Sequence, residues 1–281
     1  MTLDERQATN PAARQILNIC NAGHYEAPSG RVVFIKSEQA DSEAGTRLYS
    51  PEDLALLRDA SPSTTPFSTL VEIIDATTQQ AAQALSHYDG VALLNFASAR
   101  NPGGGFLGGA KAQEEELCRC SGLYPTLLTQ PSYYEYNRNQ KTLLYSDFTI
   151  YSPRVPFIRL ETKEAFLERP FYASVITAPA PNAGALARNE PHSASDLPST
   201  FERRWANVLS VAQHNRDRVL VLGAWGCGAF RNEPAMVAAT AKSTLSSPRF
   251  NGVFERIVFA IPGIGERSRL NLQAFRNVFC A

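Results

Sequence analysis

A glycine-rich segment is the first group of residues whose types and spacing could do chemistry. Gly103, Gly104 and Gly105 follow GVALLNFAS (90–98), an apolar run typical of a strand buried on both faces. Glycine permits a positive φ and a close approach of the backbone to a ligand, and consecutive amide N–H groups form an anion-binding concavity. The segment has no GxxxxGK[ST] motif and does not fit GxGxxG with its downstream acidic residue. It therefore predicts either a phosphate-binding loop or an ordinary turn.

Three adjacent glutamates, Glu114, Glu115 and Glu116, follow Gln113 shortly after these glycines. Acidic residues near a helix start interact favourably with the positive end of the helix dipole, so the three glutamates could simply stabilise the helix. Its closeness to a glycine loop favours carboxyl groups that act on a bound ligand. Because successive helix positions point about 100° apart, the three cannot all face one ligand. We expect one to enter a cleft and another to flank it.

A second glycine-rich segment, VLGAWGCGAFRNEP (221–234), has the order strand, glycine loop, helix. Gly223, Gly226 and Gly228 lie in its loop, and the helix start offers further free N–H groups for a diphosphate. Trp225 and Phe230 are costly to leave in water. They either pack in the core or shape the wall of a ligand pocket.

Composition and charge exclude several classes of protein. The chain has 281 residues, 27 Lys+Arg and 27 Asp+Glu, and this zero net charge does not fit a generic nucleic-acid clamp. It has no apolar run near the roughly 18 residues that cross a bilayer, and no secretory signal at its N-terminus. Five scattered cysteines predict reduced thiols in a cytosolic protein. Cys118 and Cys120 lack partner ligands at metal-site spacing, so we expect no metal.

From residue 91 onward, apolar runs that end in glycine or proline alternate with helical patterns. The runs 171–181, 218–226 and 255–263 predict strands, and 200–215 and 232–247 predict helices. Strands that alternate with helices predict a layered α/β sheet, whose ligands bind beyond the carboxyl ends of the strands. Both glycine loops follow strands, so they should meet at one rim. Asn182, in TAPAPNAG (177–184), ends a strand at this rim and is a weaker pocket candidate.

The remaining segments are less regular. Before residue 91 the patterns predict a helix over 5–23, a strand over 31–36, a helix from Pro51, a loop over 61–69, a strand over 69–77 and a helix over 78–90. The aromatic and polar stretch 132–156 is expected to be a long excursion packed on the core. Its tyrosines, Tyr133, Tyr134 and Tyr136, are expected to pack there as well.

The segment Asn95–Pro125 resembles the bacterial, or microbial-type, poly(ADP-ribose) glycohydrolase family. The family signature is three glycines, a short spacer and Gln-Glu-Glu, matched here by Gly103–Gly105, seven residues and Gln113–Glu115. The second loop, Gly223–Phe230, resembles the family's diphosphate loop. The resemblance runs from about residue 70 to the C-terminus and is looser over residues 1–60.

The resemblance implies an α/β, macro-domain-like fold, with a mixed central sheet sandwiched between helices and a mainly helical N-terminal extension. Residues 1–65 would form this accessory extension, packed on a catalytic core of residues 66–281 so that the two make one compact unit. It implies hydrolysis of the ribose–ribose O-glycosidic bonds of poly(ADP-ribose), with release of ADP-ribose and without a cofactor. It also implies a bacterial, cytoplasmic enzyme of the DNA damage response.

The site residues follow by position. Glu115 would be the catalytic acid, while Glu114 and Gln113 would hold ribose hydroxyls. Asn95, Ser98 and Asn101 occupy the place of ribose-reading and base-reading residues, beside Gly103, Gly104 and Gly105. The backbone of Gly226, Cys227, Gly228, Ala229 and Phe230 would cradle the diphosphate, with Phe230 pressing on the terminal ribose. The expected partners are poly(ADP-ribose), ADP-ribose and the ADP-ribosylated proteins that carry the polymer, without a membrane or direct nucleic-acid contact, on a monomer.

The expected mechanism uses one acid. Glycoside hydrolysis needs a proton for the leaving oxygen and stabilisation of an oxocarbenium-like transition state. Adjacent carboxyl groups on one backbone cannot straddle a bond as paired glycosidase carboxylates do, so Glu115 would act first as acid and then as base. Two alternatives stay open. One is a non-hydrolytic ADP-ribose reader, which has no use for an acid beside the ribose. The other is an α/β hydrolase of unrelated nucleotides, in which Glu114–Glu116 only decorate a helix.

Overall fold

A seven-stranded sheet between two layers of helices organises residues 8–60, 67–161 and 165–280, which the computed structural model describes. The strands of these ranges are β1 (His24–Glu26), β2 (Val32–Phe34), β3 (Arg47–Tyr49), β4 (Leu70–Ile74), β5 (Val91–Ala97), β6 (Thr149–Arg159), β7 (Phe166–Pro179), β8 (Val219–Leu222) and β9 (Arg256–Ala260). The helices are α1 (Pro11–Ala22), α2 (Lys36–Gly45), α3 (Pro51–Asp59), α4 (Thr78–Leu85), α5 (Gln113–Cys120), α6 (Leu123–Leu128), α7 (Pro131–Asn139), α8 (Ala183–Asn189), α9 (Leu197–His214), α10 (Pro234–Leu245) and α11 (Glu266–Phe279).

The main sheet is mixed, with the strand order β3-β6-β7-β5-β8-β9-β4. Its five strands from β7 to β4 are parallel, whereas β6 runs antiparallel to β7 and β3 antiparallel to β6. The strands β1 and β2 form a separate two-stranded sheet. Because the five parallel strands share one direction, the loops after β5, β7, β8 and β9 meet at one rim.

Local sequence signals fix where several helices begin. Asn10 caps α1 by accepting hydrogen bonds from two backbone amides, and α1 ends at Gly23, whose φ is +74°. Ser50 and Asp53 form a capping box ahead of α3. Thr77 and Gln80 form another ahead of α4, and this fixes the start of α4 beside the rim.

The core lies on both faces of the sheet. One cluster includes Ile16 of α1, Leu117 of α5 and the buried Tyr133 and Tyr134 of α7. The other cluster is rich in aromatic rings, and Trp225 packs there, fully buried, with its ring centroid 4.9 Å from that of Trp205. Of the two interpretations of Trp225, core packing is therefore correct.

Most of the predicted elements are present, with shifted ends. The strands expected over 69–77, 171–181, 218–226 and 255–263 are β4, β7, β8 and β9, and β5 coincides with the run 90–98. Much of the loop expected over 61–69 lies outside the described residues. The helix expected over 5–23 begins only at Pro11, after its cap at Asn10.

The expectation for residues 132–156 was wrong in part. This stretch contains α7 and the first residues of β6, an 11-residue strand paired with both β3 and β7. Two prolines and a break in register between Ser152 and Val155 hide the strand pattern. Tyr136 also differs from the expectation of core packing, since it is 44% exposed.

The N-terminal residues contribute to the main sheet as well as packing on it. Strand β3 pairs with β6 at one edge, and α1 supplies buried residues to the core. The expected boundary between an accessory extension (1–65) and a core (66–281) falls within 61–66, outside the described residues, and stays a prediction. Across the described ranges, every helix is too short or too polar to span a bilayer.

Candidate active site

A crevice of about 640 Å³ lies at the rim where the loops after β5, β7, β8 and β9 meet. This volume is within the usual range for small-molecule sites. Eleven residues predicted from the sequence line it: Ser98, Asn101, Gly104, Gly105, Gln113, Glu114, Glu115, Gly226, Gly228, Ala229 and Phe230. The two glycine loops and the glutamate run are therefore brought together, although more than 100 residues separate the loops in the chain. Glu116 lines the crevice as well, so all three glutamates border it, whereas only two were expected to.

The carboxyl group of Glu115 is buried at the wall of the crevice, with the residue 8% exposed. Its Oε1 accepts a hydrogen bond of 2.8 Å from the backbone N–H of Gly105. Its Oε2 is buried and has no partner in the described part of the chain. A buried oxygen without a hydrogen bond is energetically costly. The unpaired atom is therefore suited to a ligand hydroxyl or a water molecule.

Gly104 permits this placement of Glu115. Its φ is +59°, in the left-handed region that favours glycine. A Cβ atom at this position would collide with Glu115 Oε1 and would lie 3.1 Å from Glu114 Oε2. The glycine loop therefore lets the carboxyl groups of α5 approach its backbone directly.

Glu114 is held more tightly than Glu115. Its Oε2 accepts a hydrogen bond of 2.6 Å from the Ser98 N–H, and its Oε1 one of 3.3 Å from Asn95 Nδ2. Burial raises the pKa of Glu114 to about 8, and the nearby Glu115 carboxylate adds to the rise, while the hydrogen bonds oppose it. Glu114, which lines the crevice, is therefore mostly protonated at neutral pH.

Gln113 fastens α5 to the sheet. Its Oε1 accepts a hydrogen bond of 2.9 Å from the Phe96 N–H, and its Nε2 donates to Leu94 O at 2.8 Å and Thr78 Oγ1 at 3.1 Å. These bonds tie the first turn of α5 to β5 and α4, which fixes the position of the two glutamates that follow. The contact of Gln113 with a ribose hydroxyl stays a prediction.

Three of the predicted residues lie beside the crevice and do not line it. Asn95 is fully buried behind Glu114 and also donates to Thr177 Oγ1 at 3.2 Å. Gly103 turns the loop with a φ of +65°, and Cys227 is a buried thiol in the second loop. The weaker candidate Asn182 caps α8 by accepting from the Ala185 N–H at 3.0 Å. A contact of any of the four with substrate stays a prediction.

The side chain of Asn232 braces the loop after β8. The Asn232 Nδ2 donates to Gly226 O at 2.9 Å and to Pro181 O at 2.8 Å, and this joins the loop to the end of β7. Gly226 has a φ of +73°, and a Cβ there would lie 2.6 Å from the Cβ of Ala180. The loop is therefore tightly packed against the residues that follow β7.

The backbone of this loop also offers hydrogen-bond donors. In the described part of the chain, the backbone N–H groups of Gly226, Gly228, Ala229 and Phe230 donate no hydrogen bond, although all four residues line the crevice. A run of free amides is an anion-binding arrangement. The diphosphate cradle expected on this loop stays a prediction.

Sequence reasoning missed the wall formed by α11 and the turns before α4 and α11. Thr77, Ile261, Pro262, Ser268 and Asn271 also line the crevice. Ile261 and Pro262 end an apolar run of the kind that located the other loops, so that signal could have found them. Ser268 and Asn271 gave no such signal, since α11 was not predicted. No three Asp, Glu, His or Cys residues of the described ranges are grouped so as to hold a metal ion.

The architecture and the crevice define a macro-domain-like α/β protein with a buried pair of carboxyl groups beside two glycine-rich loops. Comparison with known proteins gives its family. Residues 13–160 match the family described as microbial-type PARG (poly(ADP-ribose) glycohydrolase), catalytic domain. The search of curated proteins found no match.

Solved structures extend this comparison to the whole chain. A poly(ADP-ribose) glycohydrolase from Thermomonospora curvata bound to the inhibitor ADP-HPD is 42% identical, with a TM-score of 0.88 over 98% of this chain and 99% of that chain. One from Deinococcus radiodurans in complex with ADP-ribose is 44% identical, with a TM-score of 0.80 over 85% of this chain and 96% of that chain. The chain belongs to the microbial-type poly(ADP-ribose) glycohydrolase family and is a glycohydrolase of poly(ADP-ribose).

Proposed function

We propose that Glu115 is the general acid and base with which this enzyme cleaves the ribose–ribose bond at the end of a poly(ADP-ribose) chain. The observation that carries this assignment is the unpaired, buried Oε2 of Glu115 at the wall of the crevice, beside an Oε1 fixed by the Gly105 N–H. This carboxyl group is held in one orientation and still has a free oxygen for substrate.

The terminal ADP-ribose unit would lie along the crevice with its diphosphate on the loop after β8. The free amides of Gly226, Gly228, Ala229 and Phe230 support this placement, because they supply donors where the negative charge would lie. The D. radiodurans relative is described in complex with ADP-ribose. With the diphosphate at β8, the ribose at the scissile bond would reach α5 and Glu115, over the neighbouring strand β5.

The chemical step would begin with a proton transfer from the Glu115 carboxyl group to the 2′-oxygen of the leaving adenosine. The C1″–O2′ bond breaks, and the terminal ribose becomes an oxocarbenium-like cation. The Glu115 carboxylate then takes a proton from a water molecule, whose oxygen forms the new bond to C1″. The products are free ADP-ribose and a chain shortened by one unit with a free 2′-hydroxyl.

Two neighbours would assist this step. The negative diphosphate of the substrate lies on the same unit as the developing cation and lowers its energy. Glu114, with its pKa of about 8, reduces the negative charge next to the diphosphate and can donate a hydrogen bond to a ribose hydroxyl. Asn95 and Ser98 would act through Glu114, which they hold in place.

The assignment is tested by Glu115→Gln with the surface variant Glu202→Gln as its matched control. We expect Glu115→Gln to lower kcat on poly(ADP-ribose) by about 100-fold or more, the usual scale of general acid–base catalysis. ADP-ribose should still raise its Tm through ligand linkage, and AMP much less. Wild-type turnover by a folded Glu115→Gln protein would contradict the assignment.

We further propose that the enzyme is a cytoplasmic monomer of the bacterial DNA damage response, acting on polymer carried by ADP-ribosylated proteins. The five free thiols, three of them buried, support a reducing compartment. The zero net charge supports recognition of the polymer by the crevice rather than by a general affinity for nucleic acids.

A further inference from the structure

Two strained residues flank the crevice on the side of β7. Tyr145 and Arg231 are two of the four non-glycine residues with a positive φ in the described ranges, at 61° and 58°. Both adjoin Phe230, since the centroids of the Tyr145 and Phe230 rings are 6.2 Å apart and Arg231 follows Phe230 in the chain. Such strain persists only where the surrounding structure enforces it, and it clusters at functional sites.

A buried arginine enforces the position of Tyr145. Arg204 is 2% exposed, and its guanidinium donates to Tyr145 O and Pro179 O, both at 2.9 Å, and to Asp147 Oδ1 at 3.0 Å. On the other side, the Ser146 N–H donates to Asn137 Oδ1 at 2.9 Å. A buried guanidinium is costly unless it is fully hydrogen-bonded, so Arg204 requires these partners. Its bond to Tyr145 O, together with that of the Ser146 N–H, fixes the backbone of Tyr145 in its unfavourable conformation and keeps the ring beside Phe230.

Two exposed arginines continue this surface. Arg138 follows Asn137 at the end of α7, and its Nη1 donates to Arg100 O at 2.7 Å. Arg100 precedes Asn101, which lines the crevice. Neither arginine forms an ion pair within the described part of the chain, so both guanidinium groups retain donors for an anion.

The order of the strands, taken with the placement of the terminal unit proposed above, gives a direction in which the polymer would leave the crevice. With the diphosphate of the terminal unit over β8 and the scissile bond beside β5, the next positions across the sheet are β7 and β6. On this placement the rest of the polymer would continue toward Tyr145, whose ring adjoins that of Phe230 at the crevice, and toward the two arginines. The first groups beyond the scissile bond are an adenosine and its 5′-diphosphate, which present a ring face and two negative charges.

We propose that Tyr145, Arg100 and Arg138 form a leaving-unit subsite that binds the adenosine diphosphate moiety on the far side of the scissile bond. The Tyr145 ring packs against the adenosine, and the guanidinium groups pair with its diphosphate. This subsite rests on the placement of the terminal unit proposed above. It makes the enzyme favour polymer over single ADP-ribose, because the released product does not reach it.

The experiment compares polymer kinetics with product affinity in three variants: Arg100→Gln/Arg138→Gln, Tyr145→Asn and Tyr145→Phe. Asparagine tolerates the positive φ but lacks the ring, whereas phenylalanine removes only the hydroxyl. We expect the double arginine variant and Tyr145→Asn each to raise KM for poly(ADP-ribose) by about fivefold or more. The Kd for ADP-ribose, measured by calorimetry, should stay within about twofold of wild type. Tyr145→Phe should keep the wild-type KM.

The variant Arg47→Gln/Arg169→Gln controls for the loss of positive charge alone, because it removes two exposed arginines elsewhere on the surface. This variant should keep the wild-type KM, and only Arg100→Gln/Arg138→Gln should weaken the dependence of KM on salt. An unchanged KM in both test variants, or an equal loss of ADP-ribose affinity, would overturn the subsite. Failure of the proposed function has a separate signature, normal turnover by Glu115→Gln, whatever the KM of the arginine variants.

Discussion

At the residue scale, two adjacent carboxyl groups on α5 are held differently by one glycine loop. Both oxygens of Glu114 accept hydrogen bonds, whereas one oxygen of Glu115 stays free. The sequence could predict that carboxyl groups and glycines meet, because their spacing matches the family signature. It could not predict that Asn95 lies behind Glu114, because that depends on the register that sets Asn95 beside Thr177 of β7.

Gly104 should tolerate no side chain. Gly104→Ala places a Cβ against the Glu115 carboxyl at a positive φ, so we expect kcat to fall by about tenfold or more and stability by about 1 kcal/mol. Gly108→Ala is the matched control, because a Cβ there meets nothing within 4 Å. Steady-state kinetics and urea unfolding measure both effects. Equal behaviour of the two variants would refute the role assigned to Gly104.

The raised pKa of Glu114 has a consequence for stability. Between its ordinary pKa near 4.5 and about 8, the folded state binds more protons at Glu114 than the unfolded state does. Stability therefore decreases as pH rises through this window. Asp217, with a pKa raised by burial to about 7, contributes in the same direction.

Glu114→Gln should flatten this pH dependence. Glutamine cannot ionise. Between pH 5 and pH 8 the free energy of unfolding should therefore fall less in the variant than in wild type, with a difference on the order of 3 kcal/mol between the two decreases. Urea unfolding at pH 5, 6.5 and 8 measures the difference, with Glu202→Gln as the surface control. Parallel curves for wild type and Glu114→Gln would mean that Glu114 ionises normally in the folded protein.

At the element scale, each loop that lines the crevice is built on a parallel strand and braced by a neighbouring element. The apolar pattern predicted β5, β7, β8 and β9, because a strand buried on both faces is apolar throughout. The pattern failed for β6, whose residues include Pro153 and Pro156, and nothing marked α11 as a wall of the crevice. These features follow from tertiary pairing, which local periodicity does not encode.

Asn232 should control the shape of the loop after β8. Asn232→Ala removes the two side-chain hydrogen bonds that join Gly226 to Pro181, so the buried Pro181 O loses its Asn232 donor and Gly226 O keeps only the backbone N–H of residue 232. We expect a loss of about 1–3 kcal/mol of stability and an ADP-ribose Kd weakened by about tenfold. Calorimetry and urea unfolding check both, against the exposed Asn251→Ala. An unchanged Kd would show that this brace does not shape the anion site.

At the scale of the whole molecule, the N-terminal residues and the crevice share one core. The cluster on one face of the sheet combines Ile16 of α1 and Tyr25 of β1 with Leu117 of α5 and Val175 of β7. Strand β3 extends the same sheet at its edge. We therefore expect residues 1–65 and 66–281 to unfold together.

Differential scanning calorimetry tests this cooperativity. One transition, with a calorimetric enthalpy equal to the van't Hoff enthalpy, is the expected result. ADP-ribose should move the whole transition to a higher temperature. Two separate transitions, of which only one responds to ADP-ribose, would contradict a shared core.

The central claim, that Glu115 supplies and then recovers the proton, is tested most directly by single-turnover cleavage of poly(ADP-ribose) with enzyme in excess. At saturating enzyme concentrations neither product release nor weak binding limits the observed rate. The account predicts that Glu115→Gln forms ADP-ribose at least about 100-fold more slowly than wild type while binding ADP-ribose with unchanged affinity. Release of ADP-ribose at the wild-type rate by the folded variant would contradict it.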